Sequence, residues 1–501
     1  MPLAIAYSRG SSGVHAPLIT VEVHLSNGLP GLNIVGLAEA AVKESKDRVR
    51  SAMINSGFEF PSQRITINLA PADLPKEGGR FDLAIALGIL AASQQIPSQT
   101  LHTYEFLGEL SLSGELRPVK GILPAALACR ESGRQLMLPI ADVMEAQLIH
   151  HPALLAARDL SAVCEHLSDK QLILPAEPAR ISPEMTYATD FADVQGQFQA
   201  KRALEIAATG AHNVIMLGPP GTGKSMLASR LPSILPPLTE QQAQETAIIA
   251  SLCQKPFDPQ QWTQPPFRSP HHTASAIALV GGGKFPRPGE ISLAHNGTLF
   301  LDELPEFDRK VLEVLREPME TGMVSISRAQ QQAEFPARFQ LIAAMNPCPC
   351  GYWGDPSSNC RCTSEQISRY RQKISGPLLD RIDMHLVVNR QPVSYLDPTR
   401  PAAETSAVIR KRVISARERA LMRQAKPNAW LTARETQTFC KLDPSAQQLL
   451  DQAQLKLGLS HRAYHRILRL ALSIADLAGA AQMTIQHLSE AISYRQLDRK
   501  P

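Results

Sequence analysis

The sequence predicts a mixed α/β protein whose C-terminal end is all helix. Three observations point there. β-Branched alternating runs interleave with helical runs through the first 170 residues. An apolar strand feeds a glycine loop that opens a helix around Gly218–Ser225. The last hundred residues read as helix throughout, without β-type alternation.

Taken in order, LITVEVHL and RITINLA carry the alternation of half-buried strands. EAAVKESKDRVRSAMINSG reads as an amphipathic helix stopped at Gly57, and DLAIALGILAAS as a short, buried helix. Leu174–Glu184 holds three prolines in eleven residues and no apolar period, the pattern of a linker. A second α/β region follows, and Pro392, Pro398 and Pro401 mark another break. The expected division is 1–170, a linker at 171–189, a core at 190–390, a linker at 391–404 and helices at 405–501. No fixed-period repeat is visible.

With 501 residues, 44% hydrophobic and 20% charged, the chain has ample material for about three cores. Disorder, a collagen-like fibre and a small disulfide scaffold are excluded. No stretch approaches the roughly 18 apolar residues of a membrane span, and MPLAIAYSRGSSG lacks the features of a secretory signal. A cytoplasmic location with reduced thiols and no membrane partner is expected. The net charge of +4 is unevenly placed: residues 400–501 hold 17 Lys/Arg against 8 Asp/Glu. Such a basic segment suits either a nucleic-acid surface or pairing with an acidic neighbour.

The strongest motif is GPPGTGKS, Gly218, Pro219, Pro220, Gly221, Thr222, Gly223, Lys224 and Ser225, after the apolar run NVIML. Glycines let the backbone wrap with its amides inward around phosphates, Lys224 reaches the β/γ phosphates, and Ser225 ligates Mg²⁺. Some eighty residues on, the apolar strand Thr298–Leu301 ends in Asp302 and Glu303. Asp302 is expected to hold the Mg²⁺ water shell, and Glu303 to polarise the attacking water.

Four of the eight cysteines, Cys348, Cys350, Cys360 and Cys362, fall within fifteen residues as C-x-C-x₉-C-x-C. Two close thiolate pairs suit a closed, structural tetrahedral Zn²⁺; reduced structural thiols are the alternative. Cys129, Cys164, Cys253 and Cys440 are scattered and read as ordinary thiols. His271 and His272 have no acid at ligand spacing and are assigned a structural or DNA-proximal role.

On these motifs, and on RSPHHTASAIALVGGG, KFPRPGEISLAHNGTLFLDELPEF and FQLIAAMNPCPCGYWGD, the chain resembles the Mg-chelatase-like AAA+ ATPases, closest to the ComM/YifB family. That clade is the MCM-related group with a helix-2 insert. The resemblance implies a central AAA+ P-loop domain, a C-terminal helical lid, and ATP with Mg²⁺ as cofactors. It assigns Asn346 as sensor 1, Arg381 as an arginine finger reaching a neighbouring subunit, and Arg462 as the sensor 2 arginine. Val194 and Gln197 fall where the family closes around adenine. A homo-hexamer is implied, since a finger acting in trans needs a neighbour at each site.

The N-terminal segments ADLPKEGGRFDLAIALGILAAS and GELSLSGELRPVKGILPAALACRESG resemble the Lon-protease fold. Arg80 stands at the nucleophile position, Leu123 stands where the dyad lysine falls, and Lys120 is offset, so no peptidase activity is expected. MVSISRAQQQAEFPARF is similar to the pre-sensor-1 hairpin of MCM-type motors, placing Arg328 as a DNA contact. ALVGGGKFPRPGE resembles the helix-2 insert and offers Lys284 and Arg287. The resemblance thus implies a hexameric DNA motor acting on single-stranded and branched DNA, a helicase promoting branch migration in natural transformation alongside recombination proteins. The competing expectation is a chelatase-type motor that remodels a partner protein, although no D-x-S-x-S motif is present.

Overall fold

The computed structural model describes residues 3–36, 40–74, 76, 78–151, 153–177, 185, 187–253, 258, 261–283, 286–327, 332–355, 360–391, 403–457 and 459–495. By packing, the chain divides into two compact units: Met1–Ser182 with Gln244–Pro259, and Pro183–Ala243 with Gln260–Pro501. The second unit contains the expected helical end and the expected 190–390 core except 244–259, which packs with the first unit.

In the first unit, β1 (Leu3–Arg9) pairs antiparallel with β2 (Leu18–Ser26). β3 (Gly31–Val35) precedes α1 (Ala40–Asn55), and β4 (Arg64–Ala70) runs antiparallel to β2 and parallel to β3. The sheet order is therefore β1-β2-β4-β3. Alternation in the sequence becomes one buried face: Ile19, Val21, Val23 and Leu25 point inward with Ile65, Ile67 and Leu69. α2 (Asp82–Ala92) is buried along its whole length, which its near-continuous apolar sequence demands. It approaches the sheet so closely that a Cβ on Gly88 would lie 2.5 Å from Val23 Cγ2. Its one acid, Asp82, is neutralised by Arg48 of α1, whose Nε lies 2.8 Å from Oδ2. A parallel three-stranded sheet follows, β5 (Tyr104–Phe106), β6 (Gln135–Pro139) and β7 (Leu154–Ala157), with α3 (Ile122–Ser132) and α4 (Leu160–Leu167).

The second unit is built on α5 (Phe198–Gly210), β8 (Val214–Leu217) and α6 (Lys224–Arg230). β9 (Phe267–Arg268), β10 (Thr298–Leu301), a hairpin of β11 (Met323–Ser327) and β12 (Gln332–Pro336), and β13 (Gln340–Met345) come next. After α7 (Ser364–Arg371), β14 (Met384–Val387) completes a five-stranded parallel sheet in the order β9-β10-β13-β8-β14. Among the described residues, five α-helices follow: α8 (Ser406–Gln424), α9 (Ala433–Phe439), α10 (Pro444–Leu457), α11 (His461–Ala478) and α12 (Ile485–Ser493). Val413, Ile467, Leu470 and Ile474 of these helices share one core with Leu204 and Ala207 of α5 and Val214, Met216 and Ile342 of the sheet.

Most of the basic excess of this end is engaged internally. Arg423 forms a two-pronged pair with Asp476 at 2.7 and 2.8 Å. Arg412 pairs with Glu205 and Glu404, and Arg417 donates to the Ala208 and Thr209 carbonyls that end α5. Arg410 donates to Ser233 O, and Arg495 to Ile382 O. Among the described residues, no helix is long and apolar enough to cross a membrane.

Candidate functional site

A parallel sheet collects its loops at the C-terminal ends of its strands, and binding crevices form there. β8 lies between β13 and β14, and the loop after it holds GPPGTGKS. A Cβ on Gly218 would sit 2.2 Å from Val388 O, so only glycine lets the chain leave the sheet at this point. Gly221 and Gly223 carry the left-handed backbone, φ 76° and 88°, that turns the loop into α6.

Lys224 Nζ donates to Gly218 O at 2.7 Å, Pro219 O at 2.9 Å and Asn346 Oδ1 at 3.2 Å. Burial pushes its ammonium pKa down, while Asp302 and Glu303 pull it back up. Ser225 Oγ donates to Asp302 Oδ2 at 2.6 Å, and Asp302 Oδ1 accepts from the Glu303 amide at 2.9 Å. Five sequence-selected residues from three strand ends, Lys224, Ser225, Asp302, Glu303 and Asn346, thus converge. The donor set fits its expected groups. A hydroxyl and a carboxylate are the hard oxygen ligands Mg²⁺ prefers, and a buried lysine among carbonyls matches an anion. Glu303 has φ +51°, a left-handed conformation that few non-glycine residues adopt.

Gln197 Nε2 bridges Thr222 O (3.1 Å) and Asn389 O (3.0 Å), tying its segment to the glycine loop and to the end of β14. Val194 is buried in the adjoining core.

Sequence reasoning missed His272. Its Nδ1 is 3.3 Å from Glu303 Oε2, its ring packs edge-on to Phe307, and His271 lies 4.1 Å away centroid to centroid. The usable signal was position: His272 follows β9, the sheet neighbour of β10, so both strands deliver their next residues to the same edge.

Arg381 and Arg462 stand together, away from that cluster. Arg381 Nη1 donates to Pro377 O at 2.7 Å and Nη2 to Glu320 Oε1. Arg462 Nη2 is 3.7 Å from the same oxygen. The acid that pairs with Arg381 is therefore Glu320; Asp383 takes Arg466 and the Asn213 amide.

The four cysteine sulfurs all lie within 4.8 Å of one another. Cys348–Cys350, Cys350–Cys360 and Cys348–Cys360 are separated by 3.3, 3.6 and 3.7 Å. A tetrahedron with Zn–S near 2.3 Å has edges of about 3.8 Å, so the set fits a metal and is too open for disulfides. Backbone N–H groups of Tyr352 and Arg361 lower the Cys350 thiol to about 6, while Cys360 beside it is pushed up to about 12 by desolvation and the neighbouring thiols, so the protons of the set are shared among close sulfurs. The turn also touches the glycine loop: a Cβ on Gly351 would lie 2.7 Å from Pro220 Cδ. Arg371 braces it, Nε bonding Pro347 O at 3.3 Å with the guanidinium 4.4 Å from the Trp353 ring centroid.

Of the expected DNA contacts, Arg287 is exposed on the strand Arg287–Pro288, paired with Gly281–Gly282. Lys284 and Arg328 lie outside the described residues. In the first unit, Arg80 is buried and donates to Lys120 O at 2.5 Å, and Leu123 is fully buried in α3.

The family described as "Magnesium chelatase, subunit ChlI" matches residues 190–396, "Subunit ChlI of Mg-chelatase" matches 21–142, and "Magnesium chelatase, subunit ChlI C-terminal" matches 403–495. The chain is 51% identical over 500 residues to the YifB protein of Salmonella typhimurium, covering 100% of this chain and 98% of that protein. It is 50% identical over 503 residues to competence protein ComM of Haemophilus influenzae, at the same coverages of 100% and 98%. Weaker, partial similarity reaches Lon protease 2 of Bacillus subtilis, 28% over 136 residues and 24% of each chain. Another reaches DNA replication licensing factor mcm6 of Dictyostelium discoideum, 24% over 312 residues, 61% of this chain and 31% of that one.

Proposed function

The chain belongs to the ComM/YifB family of magnesium-chelatase-like AAA+ ATPases, and from that premise we propose that it is an ATP-driven DNA motor. In this reading it assembles as a hexamer and drives branch migration during recombination of transforming DNA. The observation that carries the reading is the convergence of Lys224, Ser225, Asp302, Glu303 and Asn346 at the ends of β8, β10 and β13. ATP supplies the free energy, and Mg²⁺ neutralises its phosphates.

Each residue then has one task. Lys224 turns from the Gly218 and Pro219 carbonyls to the phosphates. Ser225 and Asp302 hold the metal and its water shell. Glu303 takes a proton from the attacking water, which Asn346 orients. Arg381 and Arg462, which bond to Glu320 rather than to this cluster, serve the nucleotide of the neighbouring subunit, and Val194 and Gln197 close around the adenine. Four thiolates hold a structural Zn²⁺ that fixes the turn behind Pro220. The hairpin of β11 and β12 with Arg328, and the insert with Lys284 and Arg287, track DNA phosphates.

A relative half identical along its whole length is named for competence, and a more distant one for DNA replication licensing; both support DNA as the substrate. The second reading, a chelatase-type motor acting on a partner protein, is favoured by the three family matches. The experiment that decides is ATP hydrolysis with and without forked and four-way DNA. Stimulation that weakens steeply with salt supports the DNA motor. Absence of binding and stimulation transfers the case to the chelatase-type reading. Lys224→Ala or Glu303→Gln abolishes turnover; normal rates in either would refute the site.

A further inference from the structure

Glu320 has no place in the chemistry just described, yet it joins two parts of it. It lies in the short helix Pro318–Thr321, which turns at Gly322 directly into β11. The Gly322 amide donates to Pro318 O at 2.9 Å, and its carbonyl accepts from the Ala337 amide, just past β12, at 2.8 Å. A Cβ on Gly322 would meet Arg338 Cγ at 2.7 Å. The turn carrying Glu320 and the base of the hairpin are therefore one packed piece.

At its other end, the Glu320 carboxylate accepts from Arg381 and faces Arg462 at 3.7 Å, through the same oxygen. The Arg381 backbone is fixed independently, its carbonyl accepting from Arg466 Nη1 at 3.1 Å and Asn213 Nδ2 at 3.2 Å. Among the described residues its guanidinium bonds to Glu320 and Pro377 O, and Nε is buried with no hydrogen-bond partner. Arg462 enters from the first turn of α11, 81 positions further along the chain. One half-exposed carboxylate thus holds two guanidiniums from separate elements and leaves the group net positive.

We propose that Glu320 is a positioning residue that holds Arg381 and Arg462 as a pair and ties their placement to the base of the β11–β12 hairpin. Displacement of the hairpin by DNA then shifts both cations together relative to the phosphates of the neighbouring subunit. The proposal rests on the reading above, in which the arginines act on a neighbour's nucleotide and the hairpin meets DNA.

The test uses the full-length protein and compares wild type, E320Q, E320D, R381A and E320Q/R381A in ATP hydrolysis with and without four-way DNA. E320Q is expected to lower kcat by on the order of ten- to a hundredfold, the cost of misplacing a reacting group by about 1 Å, with little change in KM. DNA stimulation is lost, E320D restores it in part, and E320Q/R381A is no slower than R381A alone. Loss in R381A beside a normal E320Q, or additive losses in the double variant, overturns the proposal alone. Undiminished hydrolysis in R381A overturns the reading of the arginines, and this proposal with it.

Discussion

Two glycines in the cysteine turn provide an internal control for the contact between that turn and the phosphate loop. Gly351 and Gly354 have nearly the same left-handed backbone, φ +85° and +78°. Their surroundings differ. Among the described residues, a Cβ at 354 meets nothing within 4 Å, whereas at 351 it lies 2.7 Å from Pro220 Cδ and 3.1 Å from Pro220 Cγ. Those ring atoms are bonded into the backbone and cannot rotate aside. Alanine at either position incurs the left-handed backbone penalty, roughly 1–2 kcal/mol. Only Gly351→Ala adds overpacking, typically 1–3 kcal/mol, and the strain falls on the loop that holds phosphates. If about 1–2 kcal/mol of it opposes nucleotide binding, ATP affinity falls roughly 5- to 30-fold. The assay is a nucleotide titration on both variants, with urea unfolding to measure the shared penalty. Gly354→Ala should lose stability and keep its ATP affinity; Gly351→Ala should lose both. Equal affinities would refute the argument that the turn bears on Pro220.

His272→Ala removes the imidazole 3.3 Å from Glu303 Oε2 and leaves that carboxylate free to turn toward the attacking water, so steady-state turnover without DNA should rise a few-fold at unchanged KM. A fall in turnover would show that the imidazole supports Glu303 instead. Anaerobically purified protein should carry one zinc per chain by metal analysis, and Cys350→Ser should lose it, unfold at a lower temperature and bind ATP more weakly. Metal-free wild-type protein would dismiss the site. In the first unit, burial raises Asp142 to about 6 and Glu145 to about 7, the latter also through Asp142. Between the ordinary carboxylate value of about 4 and these values the folded chain binds more protons than the unfolded one. Stability therefore falls as pH rises through that window, on the order of 1 kcal/mol per unit. Asp142→Asn with Glu145→Gln should flatten the urea midpoint between pH 5 and pH 8, and an unchanged slope would count against burial as the cause.

What was legible in the sequence was local. Alternation placed β2 and β4, a continuous apolar run placed α2, and strand–glycine–helix placed the loop at Gly218. The Ser225–Asp302 contact spans 77 positions but was legible because each residue sits in its own motif. His272 on Glu303 was not, because it follows from β9 lying beside β10, and Glu320 on Arg381 was not, because Glu320 lies in no motif and meets Arg381 across 61 positions. Charge counting is partial for a different reason. It registers Arg417 and Arg495 as surplus, yet their acceptors are backbone carbonyls, which carry no formal charge and are invisible to a tally of acids.

The same principle clarifies how the proposed motor tolerates so many cations near its phosphate sites. Lys224 bonds to two loop carbonyls and Asn346, Ser225 to Asp302, and Arg381 to Pro377 O and Glu320. Lys224, Ser225 and Arg381 thus already have acceptors inside the chain, so neither of the two cations is a buried, unpaired charge of the kind that destabilises a fold. Binding must then exchange partners rather than simply add them, and the net gain is the difference between two sets of bonds. That difference is small for any one contact. It becomes large only when Lys224, Ser225, Asp302 and the arginine pair change partners on the same nucleotide. A protomer holding the first three but directing Arg381 and Arg462 elsewhere accomplishes only part of the exchange, which is the physical reason the proposed assembly places two chains around each phosphate chain.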